Sequence, residues 1–333
     1  MAIAAQHGTS APKASTPRAS TPKSSTPKSW LIYAFATTIL WGVWGAFTGL
    51  SAERGFPDTL VYCVWSLTMI PPALYALARI GWRLERDPQS VIHGLIIGLT
   101  GAGGQMVLFS ALTMGPAYLI FPLISLSPVI TIAMSYALLG ERTNWVGAAG
   151  IALALLALPL FDFSPQGLSE NGLGESQGVG WFVLALIVMA AWGVQAFFMK
   201  LANRSMSAES IFFYMMVTGL MLAPVAWVMT DFGKPINWGA DGPWLAAGIQ
   251  VLNAIGALTL VYAFRYGQAI VVSPLTNAGA PLMTAVISLI VIGTLPGALK
   301  LVGLVLAGIA AVLLALAPEE AAAADAEANP TTV

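Results

Sequence analysis

Residues 111–151 read ALTMGPAYLIFPLISLSPVITIAMSYALLGERTNWVGAAGI. From Ala117 to Leu139 the stretch carries no charge, long enough to cross a hydrocarbon core of about 30 Å at about 1.5 Å per helical residue. It is a membrane span rather than a soluble core helix. Pro122 and Pro128 lie inside it with Ser125 and Ser127 between them. Each proline removes a backbone donor and clashes with an earlier carbonyl, so the helix is predicted to bend or partly open there. In hydrocarbon a freed carbonyl must be satisfied by protein, a hydroxyl or cavity water, which predicts that this face looks inward. Residues 263–293 repeat the design, with Ser273-Pro274, Thr276-Asn277 and Pro281 ahead of Gly293. Two proline-broken spans in corresponding places point to a binding site.

Composition agrees. The chain of 333 residues is 57% hydrophobic and 9% charged, with a mean hydropathy of +0.79, far too apolar for a soluble domain of this length. Leu-, Ala-, Gly- and Ile-rich runs without polar alternation predict an all-α integral membrane protein and argue against a β-barrel. The single cysteine, Cys63, excludes an internal disulfide or a thiolate metal site and reads as a small packing residue.

Residues 1–29 hold Thr-Pro steps at Pro17, Pro22 and Pro27 among Lys13, Arg18, Lys23 and Lys28, which predicts a disordered basic tail. It lacks the pattern of a secretory signal. Apolar runs follow at about 30–50, 59–78, 91–112, 117–139, 145–161, 179–199, 211–230, 243–264, 269–293 and 301–317, each near the length of a span. The Gly- and Ser-rich stretch 162–178 divides them into halves, 30–161 and 179–317, and residues 318–333 form an acidic tail.

The halves repeat. Trp30, Trp41, Gly42 and Val43 recur as Trp181, Trp192, Gly193 and Val194, and Ala111, Gly115, Ala117 and Pro122 recur as Ala263, Gly267, Ala269 and Pro274. Five spans per half invert the second half against the first, so about ten helices form two inverted five-helix repeats. With the start of the chain inside, the cytoplasmic side holds 11 of the 14 Lys and Arg residues, leaving Arg54, Lys234 and Lys300 outside. The positive-inside rule then places both termini in the cytoplasm of an inner or plasma membrane.

The middle of each predicted span lacks Asp, Glu, Lys and Arg. No embedded carboxylate or imidazole relay crosses the membrane, and the interior suits a neutral, zwitterionic or amphipathic solute. The remaining polar candidates are Gln105, Ser125, Ser127, Gln195, Asn253, Tyr262, Thr276 and Asn277. Amides and hydroxyls there either face a cavity or tie helix to helix. Trp41 and Trp44 lie near the middle of the first span, away from the interface where tryptophans anchor. They either wall a pocket or, since Trp192 matches Trp41, make a repeat-related structural contact. Gly94, Gly98, Gly101, Gly103 and Gly104 crowd the third span and read as a close-packing face. Glu141 and Arg142 close the fourth span. Read as a gate they would carry function, but an exposed pair anchoring a helix end is the favoured reading. Arg265 either attracts an anionic substrate or is simply a positive-inside residue.

The combination of Ala111-Leu112, Ala117, Pro128-Val129, Leu139-Gly140-Glu141-Arg142, Gly147 and Gly150-Ile151, with Trp41-Gly42 in the first span, resembles the drug/metabolite transporter superfamily, in particular permeases built from two EamA-type repeats. The second half departs from it, with Gly293-Thr294-Leu295-Pro296 in place of Gly-Glu-Arg. The resemblance implies a central cavity between the halves, alternating access, and export or uptake of small metabolites. We therefore expect a secondary transporter rather than an enzyme, first an exporter of amino acids or related amphipathic compounds and second an importer of a sugar or other neutral metabolite. A receptor, scaffold or intramembrane enzyme is the alternative of another class. The expected partners are a small-molecule substrate and the lipid bilayer, with no nucleic acid, cofactor or metal, and a homodimer is left open.

Overall fold

The structure, a computed structural model, describes residues 29–114, 120, 123–162, 180–292 and 297–316. The two expected tails and the linker, apart from Ser29 and Asp162, lie outside the described residues, as do Pro122 and the 293–296 segment. Among the described residues regular structure is helical throughout.

The first repeat comprises α1 (Ser29–Phe47, followed by the short turn Leu50–Glu53), α2 (Asp58–Thr68, running on as Ile70–Arg79), α3 (Pro88–Met114), α4 (Ser127–Met134, ending in a π-helical turn, Ser135–Leu139) and α5 (Trp145–Asp162). The second comprises α6 (Gly180–Ala202), α7 (Ala208–Met229), α8 (Leu245–Tyr266, preceded by a π-helical turn, Ala240–Trp244), α9 (Ala269–Ile292) and α10 (Ala298–Leu316). Among the described residues seven helical segments are long and apolar enough to cross a membrane, and Ser127–Leu139 and Trp145–Leu160 are shorter apolar helices.

Local chemistry sets the helix ends. Asp87 accepts from the backbone and hydroxyl of Ser90 at 3.0 and 2.6 Å, capping α3 ahead of Pro88, a residue suited to a first helical position. The same bonds hold the Asp87 carboxyl below the usual carboxylate range. Ser207 caps α7 through the Ser210 amide at 3.2 Å. Gly140 ends α4 at φ +69°, a left-handed conformation that glycine adopts without steric cost.

The two proline-bearing segments differ: the first opens between its prolines as expected, and the second does not. A turn at Ser125-Leu126 precedes α4, and Pro128 sits in the first turn of the helix that restarts at Ser127. There its missing N–H would have had no partner anyway, so the break falls at Ser125-Leu126 and Pro128 opens the helix that follows. Pro274 and Pro281 lie inside α9, which remains one continuous helix. Side chains help the disturbed backbone: the Thr276 hydroxyl donates to the Val272 and Ser273 carbonyls at 2.9 and 3.2 Å, and the Asn277 amide donates to the Ser273 carbonyl at 2.8 Å. Such bonds let a membrane helix carry proline without opening.

Equivalent helices of the two repeats run antiparallel. Along α2 and α7, Thr59 meets the Thr230 hydroxyl at 2.7 Å and Tyr62 donates to the Gly219 carbonyl at 3.1 Å, so position rises in one as it falls in the other. Along α5 and α10, Gly150 faces Leu314 while Gly303 faces Leu160. An axis lying in the membrane plane produces this relation, and an axis along the normal does not. Packing follows the same exchange. The α3/α6 contact corresponds to α8/α1, α4/α6 to α9/α1, and α3/α7 to α8/α2. The central cluster includes Met199, Phe212, Phe264 and Ala263, while Leu138, Val228, Val305 and Ile290 face outward. With apolar surroundings on both sides, close approach of small residues rather than burial from water holds such helices together.

Candidate functional site

The middle of the bundle is built from two crossings related by the repeat. In the first, Trp41 of α1 donates its indole N–H to the Asn253 carbonyl of α8 at 3.3 Å, and its ring lies where a Cβ on Gly256 would go. In the second, Trp192 of α6 donates to the Gly101 carbonyl of α3 at 3.3 Å and covers Gly104. The next residues agree as well. Thr284 of α9 donates to the Gly42 carbonyl at 3.0 Å, and Thr131 of α4 donates to the Gly193 carbonyl at 3.0 Å. Gly42 lies against Met283 and Ala280, and Gly193 against Ile130 and Ser127. A side chain at either glycine would collide with the neighbouring helix, so the glycines are what allow the close approach.

Trp41 therefore makes a repeat-related contact with the same geometry as that of Trp192. One turn further on, Trp44 donates to the Gln250 side-chain carbonyl at 3.1 Å. Gln195, the residue matching Trp44, lies with its amide against Gly101. Gln105, Gln195 and Asn253 are all partly buried, and Ser127 is buried at the start of α4. Ser125 is partly buried in the turn before α4. Thr276 is fully buried and, like Asn277, bonded to its own helix.

The structure thus gathers Trp41, Trp44, Gln195 and Asn253 around the paired crossings, while Tyr262 stands elsewhere. Its ring stacks on Tyr33 with centroids 5.0 Å apart, and its hydroxyl donates to Glu209 at 2.5 Å. Sequence reading missed Gln250, an amide inside an apolar run that is only 4% exposed. Its position three residues before Asn253 was the available signal.

The end of the bundle that carries Glu141 departs most from expectation. The exposed ion pair between Glu141 and Arg142 is not what forms. Arg142 is exposed, sits 3.6 Å over the Tyr136 ring and donates to the Tyr136 and Glu141 carbonyls at 2.8 and 3.0 Å. Glu141 turns inward and is 6% exposed. Its carboxylate accepts from the Ile270 amide at 3.1 Å, at the start of α9, and lies 4.0 Å from Lys200 of α6. Lys200 in turn donates to the Gly267 carbonyl at 2.5 Å. Burial pushes the Glu141 carboxyl up, opposed by Lys200 and by the amides of Ile270 and Ala269. Arg265 donates to the Met206 carbonyl at 2.9 Å, joining α8 to the α6–α7 connection. Lys200 reads in sequence as a topology charge because nothing local distinguishes a lysine at a span's end from one folded back under it.

A model of the EamA-like transporter family matches residues 28–161 and 179–316. The chain belongs to the EamA-like transporter family. Both family matches fall on the repeats whose crossings are described above, so each half of this EamA-like protein carries the family pattern. A solved structure described as "Crystal structure of protein" has a TM-score of 0.71 and 18% sequence identity over 86% of this chain and 98% of that one. At that identity the likeness concerns the fold alone. Among curated proteins no relative matches.

Proposed function

We propose that this EamA-like protein is a secondary transporter that moves small organic metabolites by alternating access, with net export of amino acids or related amphipathic compounds as the first reading. The observation that carries the proposal is the pair of repeat-related crossings, Trp41 on Gly256 and Trp192 on Gly104. They put an aromatic and amide-bearing centre, with Trp44, Gln250, Gln195 and Asn253, on helices that can rock as two inverted halves. That centre presents donors and acceptors without formal charge, which fits carboxylate, amine and hydroxyl groups of a zwitterion. The same lack of charge supports uptake of a neutral metabolite such as a sugar as a second reading.

The Glu141 end carries the basic excess and is taken as cytoplasmic, in an inner or plasma membrane. The test is uptake and counterflow in proteoliposomes with a mixed metabolite panel read by mass spectrometry, wild type beside Trp44→Ala and Gln195→Leu. Movement of one solute class that both substitutions abolish, with folded protein retained, supports a site at the crossings. Transport that survives both removes the site from this place, and no movement of any solute removes the transport reading.

A further inference from the structure

Exchange of the repeats reproduces most contacts, and the places where it fails mark one end of the molecule. At the Arg54 end the α1–α2 and α7–α8 connections are tied, with the Asn237 amide donating to the Gly55 carbonyl at 3.0 Å and its side chain to the Arg54 carbonyl at 2.9 Å. At the Glu141 end the exchanged connections are tied too. Glu85 accepts from the Ser207 amide and hydroxyl at 3.2 and 2.9 Å, and Tyr214 donates to the Glu85 carbonyl at 2.7 Å. Contacts present at both ends are compatible with either end being closed.

A second set has no such counterpart among the described residues. At the Glu141 end α6 packs on α8, with Asn203 donating to the Val261 carbonyl at 3.0 Å. Among the described residues α1 and α3, which the exchange would bring together at the other end, make no comparable packing. The sequence accounts for the difference. The repeat offset of 151 places Gly49 and Ala52 where the second half has Lys200 and Asn203, and matching Gly293 to Gly140 places Thr294 where the first half has Glu141. None of the three offers a long cation, an amide or a carboxylate.

We propose that Glu141 and Lys200 form a one-ended latch that holds the ends of α4, α6 and α9 together, and that its release opens the midplane centre to the Glu141 side. The inference rests on the alternating-access reading above. Glu141 comes from the first repeat, while both groups it engages, the α9 amides and Lys200, belong to the second. Parting the repeats at this end therefore breaks the contact directly. A buried ion pair suits such a switch, because the attraction lost on opening is offset by the water that reaches both charges. The latch can therefore favour closure without making it permanent.

The test reads access to the end rather than transport, so it stands or falls apart from the function proposed above. In a Cys63→Ala background, Ser135→Cys places a thiol at a fully buried position whose carbonyl accepts the Glu141 amide at 3.2 Å. Oriented vesicles are treated with a membrane-impermeant maleimide. From the side that exposes the Glu141 end, labelling is expected to be slow in the parent, at least tenfold faster with Glu141→Gln or Lys200→Met, and slow again with Lys200→Arg. Labelling of Arg204→Cys, an exposed position, is expected to be equal in all backgrounds. Should Glu141→Gln not give folded protein by gel filtration, Lys200→Met carries the same comparison. Unchanged rates in the folded variants, or acceleration only from the opposite side, would overturn the latch.

Discussion

Trp41 and Trp192 make the same contact in opposite repeats, down to a 3.3 Å hydrogen bond onto a backbone carbonyl and a ring seated over a glycine. Glu141 and Lys200, by contrast, join the repeats at one end, and the other end has Thr294 and Gly49 at the matching sequence positions. The two tryptophan crossings match, and among the described residues the ends do not. In the alternating-access reading proposed above, matching crossings let the two halves move about one centre in the same way. In that same reading, ends that differ would give the two faces of the membrane different closing chemistry and so favour one state over the other.

Four measurements of stability in detergent, by thermal unfolding followed through gel filtration, sharpen or break this contrast. The largest effect is expected at the buried pair. Glu141→Ala leaves the largely buried Lys200 without its carboxylate and should cost about 3 kcal/mol, whereas Thr294→Ala, which removes no charge, should cost far less. Equal losses would abolish the distinction between the ends. Next come the crossings. Gly256→Val and Gly104→Val force a side chain into the Trp41 or Trp192 ring and should each cost about 2 kcal/mol. A loss at one glycine only would show that the centre is less symmetric than its contacts.

Smaller and again paired, Thr131→Val and Thr284→Val each remove one hydroxyl bond to a glycine carbonyl while keeping shape, at about 0.6 kcal/mol apiece. Last, Arg54 meets Asp241 at 3.3 Å with both side chains about half exposed. Arg54→Ala should produce no resolvable change at moderate salt, because exposed pairs are screened. A clear loss there would mean that the Arg54 end is held by charge after all.

The membrane setting, the helical class and the inverted repeat were legible because each rests on a pattern that runs along the chain. Apolar length reports spans, and the offsets Trp41 to Trp192 and Gly42 to Gly193 report a duplicated unit. What the prolines do was half legible. The sequence marks Pro128 and Pro281 as places where a backbone bond is lost, but whether a helix restarts there, as at Ser127, or runs through, as in α9, depends on what stands beside the freed groups. Thr276 and Asn277 answer part of that from their own helix, and so cannot be counted as cavity residues on composition alone.

By itself, then, the sequence determined that this protein crosses the membrane as two inverted helical repeats, because hydropathy, charge bias and internal repetition are properties of residues in order. Only the tertiary structure decided that the Trp41 ring lies over Gly256 and that the Glu141 carboxylate leaves its neighbour Arg142 for Ile270 and Lys200. A hydrogen-bonding side chain takes the partner that folding brings within about 3 Å. Residues 129 or 59 positions away along the chain become that partner only when the helices pack.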